Sequence, residues 1–236
     1  MTIMKTYNGI VVSVFTNLEE IMKLRKTIPI LLALMSLLAS FTVACFSDND
    51  PDLLYRRGLR EHREYHYRDA IKSFDKAIAL DKNHVDAYYA RSLSNKEVDL
   101  YGDALKDVNR VIELDPNYED IYNNRGNIYS ELAIYDRAIK DLDRAIAIDP
   151  KNKNAYYNRG STYNKMEMYD EAINDYTMVT NLDSNDGDAY YRKGFINYKL
   201  KRWDEAERDM RASCSLGIYS SCLYLEDIMK EKNKKK

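Results

Sequence analysis

The sequence repeats itself with a period of 34 residues, and no other feature constrains its fold as strongly. Alanine recurs without a miss, and a large aromatic residue stands three positions before each alanine. The alanines are Ala70, Ala104, Ala138, Ala172 and Ala206. Five units fill residues 51–220, at 51–84, 85–118, 119–152, 153–186 and 187–220. We expect these units to stack on one another, because a single unit of this length cannot bury its apolar face alone.

Each unit predicts two helices separated by a short break. In the fourth unit the first helix ends at Lys165 and the second begins near Asp170. Glycine recurs at four of the five equivalent positions, with Ser92 at the fifth, and small residues there let two helices approach closely. We expect the aromatic residues to fill each core together with one bulky residue of each second helix: Phe74, Val108, Leu142, Tyr176 and Met210. Asp50 followed by Pro51 predicts the N-cap of the first helix.

This pattern resembles the tetratricopeptide repeat (TPR), and the resemblance covers 170 of the 236 residues. It depends on the small and aromatic positions and on Asp-Pro pairs such as Asp149-Pro150, which end the second helices. Arginine or lysine before each glycine position departs from the family pattern. The resemblance implies an all-α fold, a right-handed α-solenoid of five helix-turn-helix units whose first helices line a concave face. Residues 221–236 then form a capping helix and a basic tail, because the last unit needs a polar cap.

Residues 1–44 are predicted to form an N-terminal extension and an export signal. A basic flank precedes the apolar run from Ile28 to Leu38, and small residues follow that run. The segment Thr42-Val43-Ala44-Cys45 resembles a bacterial lipobox. The resemblance implies that Cys45 carries lipid and that residues 45–50 form a tether.

Two questions about this region stay open. Residues 1–21 include two glutamates and lengthen the basic flank, so translation is expected to start at Met22. Residues 27–46 are also long enough to be an uncleaved membrane anchor. Both interpretations place the repeats outside the cytoplasm, since the basic flank stays inside. By resemblance to enterobacterial sorting, Phe46 after the cysteine favours the outer membrane.

Cys214 and Cys222 lie on either side of the turn that follows the second helix of the fifth unit. A C-x7-C pair around such a turn resembles the bridged pairs of cysteine-rich Sel1-like repeat proteins. The resemblance implies a disulfide in an exported chain, whereas two buried thiols are the alternative in a reducing cytosol.

Composition and motifs give no support for catalysis or for a metal site. The pair His62 and His66 lacks the glutamate that follows the first histidine in the zinc-protease motif, and its position suggests a solvent-facing pair. No nucleotide-binding or serine-hydrolase motif occurs. We expect no enzyme, no metal and no cofactor. The many acidic residues at repeat positions are interpreted as solvated helix faces.

The charge balance disfavours nucleic acid as a partner. The formal net charge of the chain is −2. It becomes −8 for residues 45–229, once the N-terminal segment and the basic tail are set aside. An acidic body repels phosphate backbones.

By resemblance to TPR proteins, seven residues of the first helices are candidates for the partner groove: Tyr89, Asn123, Asn127, Tyr157, Asn158, Tyr191 and Arg192. Tyrosine offers a rigid ring, and asparagine offers a donor and an acceptor to an extended backbone. Asn127, Asn158 and Arg192 also match three of the five positions of the carboxylate clamp that grips chaperone C-termini. Asn123 and Asp188 stand where the clamp has lysines, so we do not predict chaperone-tail binding.

The sequence therefore predicts a membrane-tethered scaffold of the bacterial cell envelope. Its groove would hold a protein or peptide segment, as in TPR lipoproteins that help to assemble envelope machines. The alternative is a protein that binds a glycan or a small ligand, or an enzyme with an unrecognised site. A deep enclosed pocket with convergent acidic residues would favour that alternative over an open groove.

Overall fold

The structure, a computed structural model, describes residues 50–118 and 120–234. The predictions that concern Cys45, the start at Met22 and the export signal at residues 1–44 lie outside this part of the chain. The described residues form eleven α-helices and no strand. The helices are α1 (Pro51–Arg63), α2 (Tyr67–Leu80), α3 (Val85–Glu97), α4 (Tyr101–Leu114), α5 (Ile121–Glu131), α6 (Tyr135–Ile148), α7 (Lys153–Lys165), α8 (Tyr169–Leu182), α9 (Gly187–Lys199), α10 (Trp203–Ser215) and α11 (Tyr219–Asn233). The predicted all-α solenoid of two-helix units is confirmed.

The helices alternate along the solenoid. The odd-numbered helices α1 to α9 are the first helices of the five units, and the even-numbered helices α2 to α10 are the second helices. Each first helix packs against the second helix of its own unit and, from α3 onward, against that of the preceding unit. The first helices α5 and α7 also contact each other, as do α1 and α3. The first helices therefore form the inner side of the stack.

Side-chain caps fix where the first helices begin. Asp50 Oδ1 accepts from the backbone N–H of Asp52 at 2.9 Å, which confirms the predicted N-cap. Asn152 and Asp186 do the same for α7 and α9, accepting from backbone N–H groups at 3.0 Å. These caps satisfy donors that an isolated helix start leaves unpaired.

The third unit lacks such a cap. Its equivalent residue is Tyr118, whose phenol is too long to reach back to the first turn of its own helix. Helix α5 accordingly begins at Ile121 without a side-chain cap, after Asp120 in a left-handed conformation with φ of 60°. Helix α5 is therefore two residues shorter than α3 and α7.

The predicted close approach at the glycine positions is confirmed. A Cβ added to Gly58 would lie 2.5 Å from Phe74 Cε1, and one added to Gly126 would lie 2.7 Å from Leu142 Cγ. Where Ser92 replaces glycine, the equivalent core residue is Val108, the smallest of the five bulky core residues. All five bulky residues are fully buried. Within each unit, the glycine or serine and the bulky core residue that packs against it are therefore matched in size.

One expectation about the core holds only in part: Tyr101, Tyr169 and Trp203 pack against buried core residues, but none of the five aromatic residues is fully buried. The aromatic residue three positions before each alanine is only partly buried in every unit. These residues are Tyr67, Tyr101, Tyr135, Tyr169 and Trp203. Each is the first residue of its second helix, at the edge of the unit, so part of its ring faces solvent while the alanine below it is fully buried.

Helix α11 covers the end of the fifth unit. Its Ile228 is fully buried against Ala206 and Met210 of α10. The sulfurs of Cys214 and Cys222 are within bonding distance, with Cα atoms 5.1 Å apart, so a disulfide joins α10 to α11. Ser221 Oγ also donates to Ser213 Oγ at 2.6 Å beside that bridge. The last unit is therefore held by apolar packing and by a covalent bond.

Candidate binding surface on the first helices

Five of the seven predicted groove residues line one open depression of about 300 Å³ on the inner side of the solenoid. They are Tyr89 from α3, Asn123 and Asn127 from α5, and Tyr157 and Asn158 from α7. Leu93, Lys96 and Asn154 also line the depression. Spacing by one repeat brings these positions together because neighbouring first helices lie side by side.

The asparagines of this depression bond to each other across helices α5 and α7. Asn158 donates through Nδ2 to Asn123 Oδ1 at 2.8 Å. Asn127 donates to Asn158 Oδ1 at 3.5 Å, a much weaker contact. Asn123 is only 7% exposed, so its amide depends on Asn158 for a partner, whereas Asn127 keeps most of its hydrogen-bonding capacity for a ligand.

Tyr157 and Arg192 meet at Asp188. Tyr157 donates its hydroxyl to Asp188, and Arg192 pairs with the same carboxylate at 3.2 Å. Burial and this hydrogen bond raise the pKa of the Tyr157 phenol, so the ring presents a neutral surface. The charge of Arg192 is already balanced within α9, which leaves it a poor clamp for a carboxylate.

Tyr191 belongs to a different cluster from the other groove candidates. Its ring stacks on Phe195 with centroids 6.0 Å apart and lies 6.2 Å from Tyr224 of the capping helix. It therefore joins the fifth unit to the cap, away from the depression.

Tyr89, at the second-unit side of the depression, contacts Tyr118 with ring centroids 4.9 Å apart, and Tyr118 donates to Asp86 at 2.7 Å. Tyr118 was not among the predicted residues.

The interpretation of all repeat acids as solvated was wrong. Four aspartates at one position of the second helices are at most 6% exposed. They are Asp107, Asp141, Asp175 and Asp209. Each pairs with the basic residue that precedes the glycine position of its own unit, and these residues are Arg91, Arg125, Arg159 and Lys193. We refer to these four pairs as the Arg–Asp ladder.

The arginines of the ladder also reach the preceding unit. Arg159 donates to both oxygens of Asp175 at 2.9 and 2.7 Å and to Asp143 of the third unit at 2.6 Å. The hydrogen bond with Asp175 raises the pKa of the Arg159 guanidinium, which therefore stays charged. Arg125 makes the same two-oxygen contact with Asp141, but its second partner is the neutral Asn109 at 3.0 Å. One guanidinium thus fixes three helices in register.

His62 is not the solvent-facing residue that the sequence suggested. Its Nδ1 lies 2.8 Å from Ser94 Oγ of the second unit, and burial lowers its pKa. His66 is exposed. Among the described residues, no group of three or more metal-ligating side chains comes together. No helix of residues 50–118 and 120–234 has the length and apolarity needed to cross a membrane.

A family model described as the tetratricopeptide repeat matches residues 119–152 and 154–186, which are the third and fourth units. The chain carries tetratricopeptide repeats. The TPR arrangement of two helices recurs in the other three units of the described chain. No curated protein shows significant sequence similarity to the chain.

Solved TPR structures share the fold. PilF of Pseudomonas aeruginosa aligns with a TM-score of 0.67 at 18% identity, covering 79% of this chain and 87% of that one. MamA from Desulfovibrio magneticus RS-1 aligns with a TM-score of 0.60 at 20% identity, covering 75% and 95%. YrrB, described as a TPR protein with an unusual peptide-binding site, aligns with a TM-score of 0.59 at 19% identity, covering 76% and 93%. Sequence identities this low show a shared fold and nothing more.

Proposed function

We propose that this TPR chain is a scaffold that holds an extended segment of a partner protein against its first helices. The observation that carries the proposal is the open depression lined by Tyr89, Asn127 and Asn154. It offers amide donors and acceptors beside aromatic rings, which suits an extended backbone with side chains on either side. Its open shape favours a peptide over a small ligand, which needs a pocket that encloses most of its surface.

The weak bonding of Asn127 supports this assignment. Its amide makes one contact at 3.5 Å, so a partner backbone can bind it without first breaking a strong hydrogen bond. Lys96 and Asn154 stand on the rim, where a partner would pass from the second to the fourth unit. Affinity in the micromolar range, about −8 kcal/mol, is expected for such an adaptor.

The experiment is site-specific photocrosslinking in cells. A photoreactive residue placed at Lys96 or at the exposed Asn154 should capture the same partner protein, and the same residue at the exposed Lys76 on α2 should not. Asn127→Ala should reduce the groove crosslinks. Asn174→Ala, an exposed asparagine on α8, is the matched control. Equal capture from Lys76 and from the groove positions would refute the proposal.

We further propose that the scaffold is exported and tethered to a membrane, facing the periplasm or the exterior, through a lipid on Cys45. The support is the lipobox-like sequence and the apolar run that precedes it. Metabolic labelling with palmitate should mark the wild-type chain but not a Cys45→Ser variant. If the variant and the wild type are equally membrane-bound and equally unlabelled, the segment is an uncleaved anchor. A chain found free in the cytosol would contradict both forms of tethering.

A further inference from the structure

Helix α6 departs from the charge pattern of α2 and α4. In the second unit, Lys106 pairs with Asp103 at 2.8 Å, and Arg110 pairs with Glu113 at 3.0 Å. The first unit has the same kind of pair, Lys72 with Asp69 at 2.8 Å. In the third unit the two cations recur as Lys140 and Arg144, but both acids are gone. Arg137 of α6 stands where α4 has Asp103, and Ala147 stands where α4 has Glu113.

The replacements leave three exposed cations on one face of α6. Arg137, Lys140 and Arg144 are spaced three and four residues apart, so they share a face of the helix. None of the three forms an ion pair within residues 50–118 and 120–234, and they surround a depression of about 400 Å³. We call this surface the α6 cationic patch. The one carboxylate that lines it, Asp141, is occupied by both donors of Arg125.

Aromatic rings support the two arginines of the patch. The Arg144 guanidinium carbon lies 3.9 Å from the centre of the Tyr122 ring, and that of Arg137 lies 5.8 Å from the centre of the Tyr129 ring. A guanidinium held on a ring face keeps its N–H donors free at its edge, and it loses less side-chain freedom when it binds an anion. The patch is therefore organised to receive oxyanions.

The shape of the patch indicates which oxyanions. Arg137 and Arg144 are separated by about 10 Å along the helix axis, at 1.5 Å per residue. About three residues of an extended peptide span that distance. Acidic residues stand one repeat from Arg137 in both neighbouring units, namely Asp103, which pairs with Lys106, and Glu171. A flat anionic membrane or a long nucleic acid would meet those charges, whereas a short linear acidic peptide would not.

We propose that the α6 cationic patch binds a short acidic segment of a partner protein. It is centred on α6 and shares no lining residue with the depression on the first helices, so it is a second interaction surface. Two partners, or two segments of one partner, can occupy the two surfaces at once. Neither surface requires the other.

The test is fluorescence anisotropy of a labelled hexaglutamate peptide with the full-length chain in a non-ionic detergent at low ionic strength. The wild type should bind, and Arg137→Asp should weaken binding by about tenfold or more. This variant restores the Asp–Lys spacing of the first two units, so its helix content should be unchanged. Asn127→Ala, on the other surface, should leave peptide binding unchanged.

A gain-of-function variant sharpens the test. Asp103→Arg combined with Glu113→Ala gives α4 the charge pattern of α6, and adding it to Arg137→Asp should restore peptide binding. Failure of the wild type to bind, or a folded Arg137→Asp variant that binds as the wild type does, would overturn the proposal. Equal or tighter binding of a twelve-nucleotide single-stranded DNA or of phosphatidylglycerol vesicles would also overturn it.

Discussion

Two stripes of polar residues run along the first helices of this solenoid, and they differ in what surrounds them. The Arg–Asp ladder lies between helices, where each of its three arginines meets two fixed partner side chains at 2.5 to 3.0 Å. The asparagines of the depression lie on the inner surface, where Asn127 has one contact at 3.5 Å. Residues one or two positions apart thus have different roles. A polar group with all its partners inside the protein fixes structure, and one left incompletely bonded at an open surface can bind a ligand.

The largest expected effect comes from breaking the ladder where it is least redundant. Asp141→Ala removes the only carboxylate of residues 50–118 and 120–234 that Arg125 contacts, since its second partner is the neutral Asn109. The unpaired guanidinium should cost about 3 kcal/mol in the free energy of unfolding. Asp175→Ala should cost less, about 2 kcal/mol, because Arg159 keeps Asp143. Urea denaturation followed by circular dichroism gives both values, and equal losses would show that the second partner does not matter.

The disulfide is expected to matter nearly as much, because the ladder weakens at the same end of the molecule. In the fifth unit Lys193 replaces arginine and approaches Asp209 at 3.2 Å through a single ammonium group. Reducing the Cys214–Cys222 bond should lower stability by about 2–3 kcal/mol for a loop this short. Thermal unfolding with and without reductant measures it. A Cys214→Ser/Cys222→Ser variant should not respond to reductant.

Asn158 and Asn127 of the depression should differ in their contribution to stability, because their hydrogen bonds differ in length. Asn158→Ala leaves the buried amide of Asn123 without its 2.8 Å hydrogen bond and should cost about 1–2 kcal/mol. Asn127→Ala should cost less than about 0.5 kcal/mol, since it removes a bond at 3.5 Å. Urea midpoints of the two single variants decide this. A larger loss for Asn127→Ala would assign it a structural role and remove it from the binding surface.

The smallest expected effect is a pH dependence at His62. Burial holds the pKa of its imidazole below the ordinary value, so the unfolded chain takes up a proton at higher pH than the folded chain does. Stability should therefore fall as pH drops below about 6.5 and through the lower pKa of the folded state. A His62→Gln variant should show a smaller decrease in Tm between pH 7 and pH 5. An identical decrease in both proteins would exclude His62 as its source.

The sequence predicted which first-helix residues lie close together more accurately than it predicted the surroundings of the charged residues. The resemblance to TPR proteins implies that Tyr89, Asn123, Asn127, Tyr157 and Asn158 share the inner face, and the structure brings them together because residues one period apart lie side by side in the stack. The repeat also shows that Asp107, Asp141 and Asp175 are equivalent acidic residues. It does not show which face of the second helix is buried against its neighbours. Burial depends on how the helices pack in space, and in the sequence the matching arginines are only a departure from the family pattern.

The sequence by itself determined the repeat length, the two-helix unit, the bulky core residues and the N-cap at Asp50. These follow from local rules: small residues at helix crossings, apolar residues at helical spacing, and caps and prolines at helix ends. The tertiary structure alone decided which charges pair and which stay free. Arg125 and Arg137 are both arginines of the third unit, yet one lies between helices against Asp141 and the other faces solvent beside Lys140. Pairing is a property of distance in space, which sequence spacing fixes only within one helix.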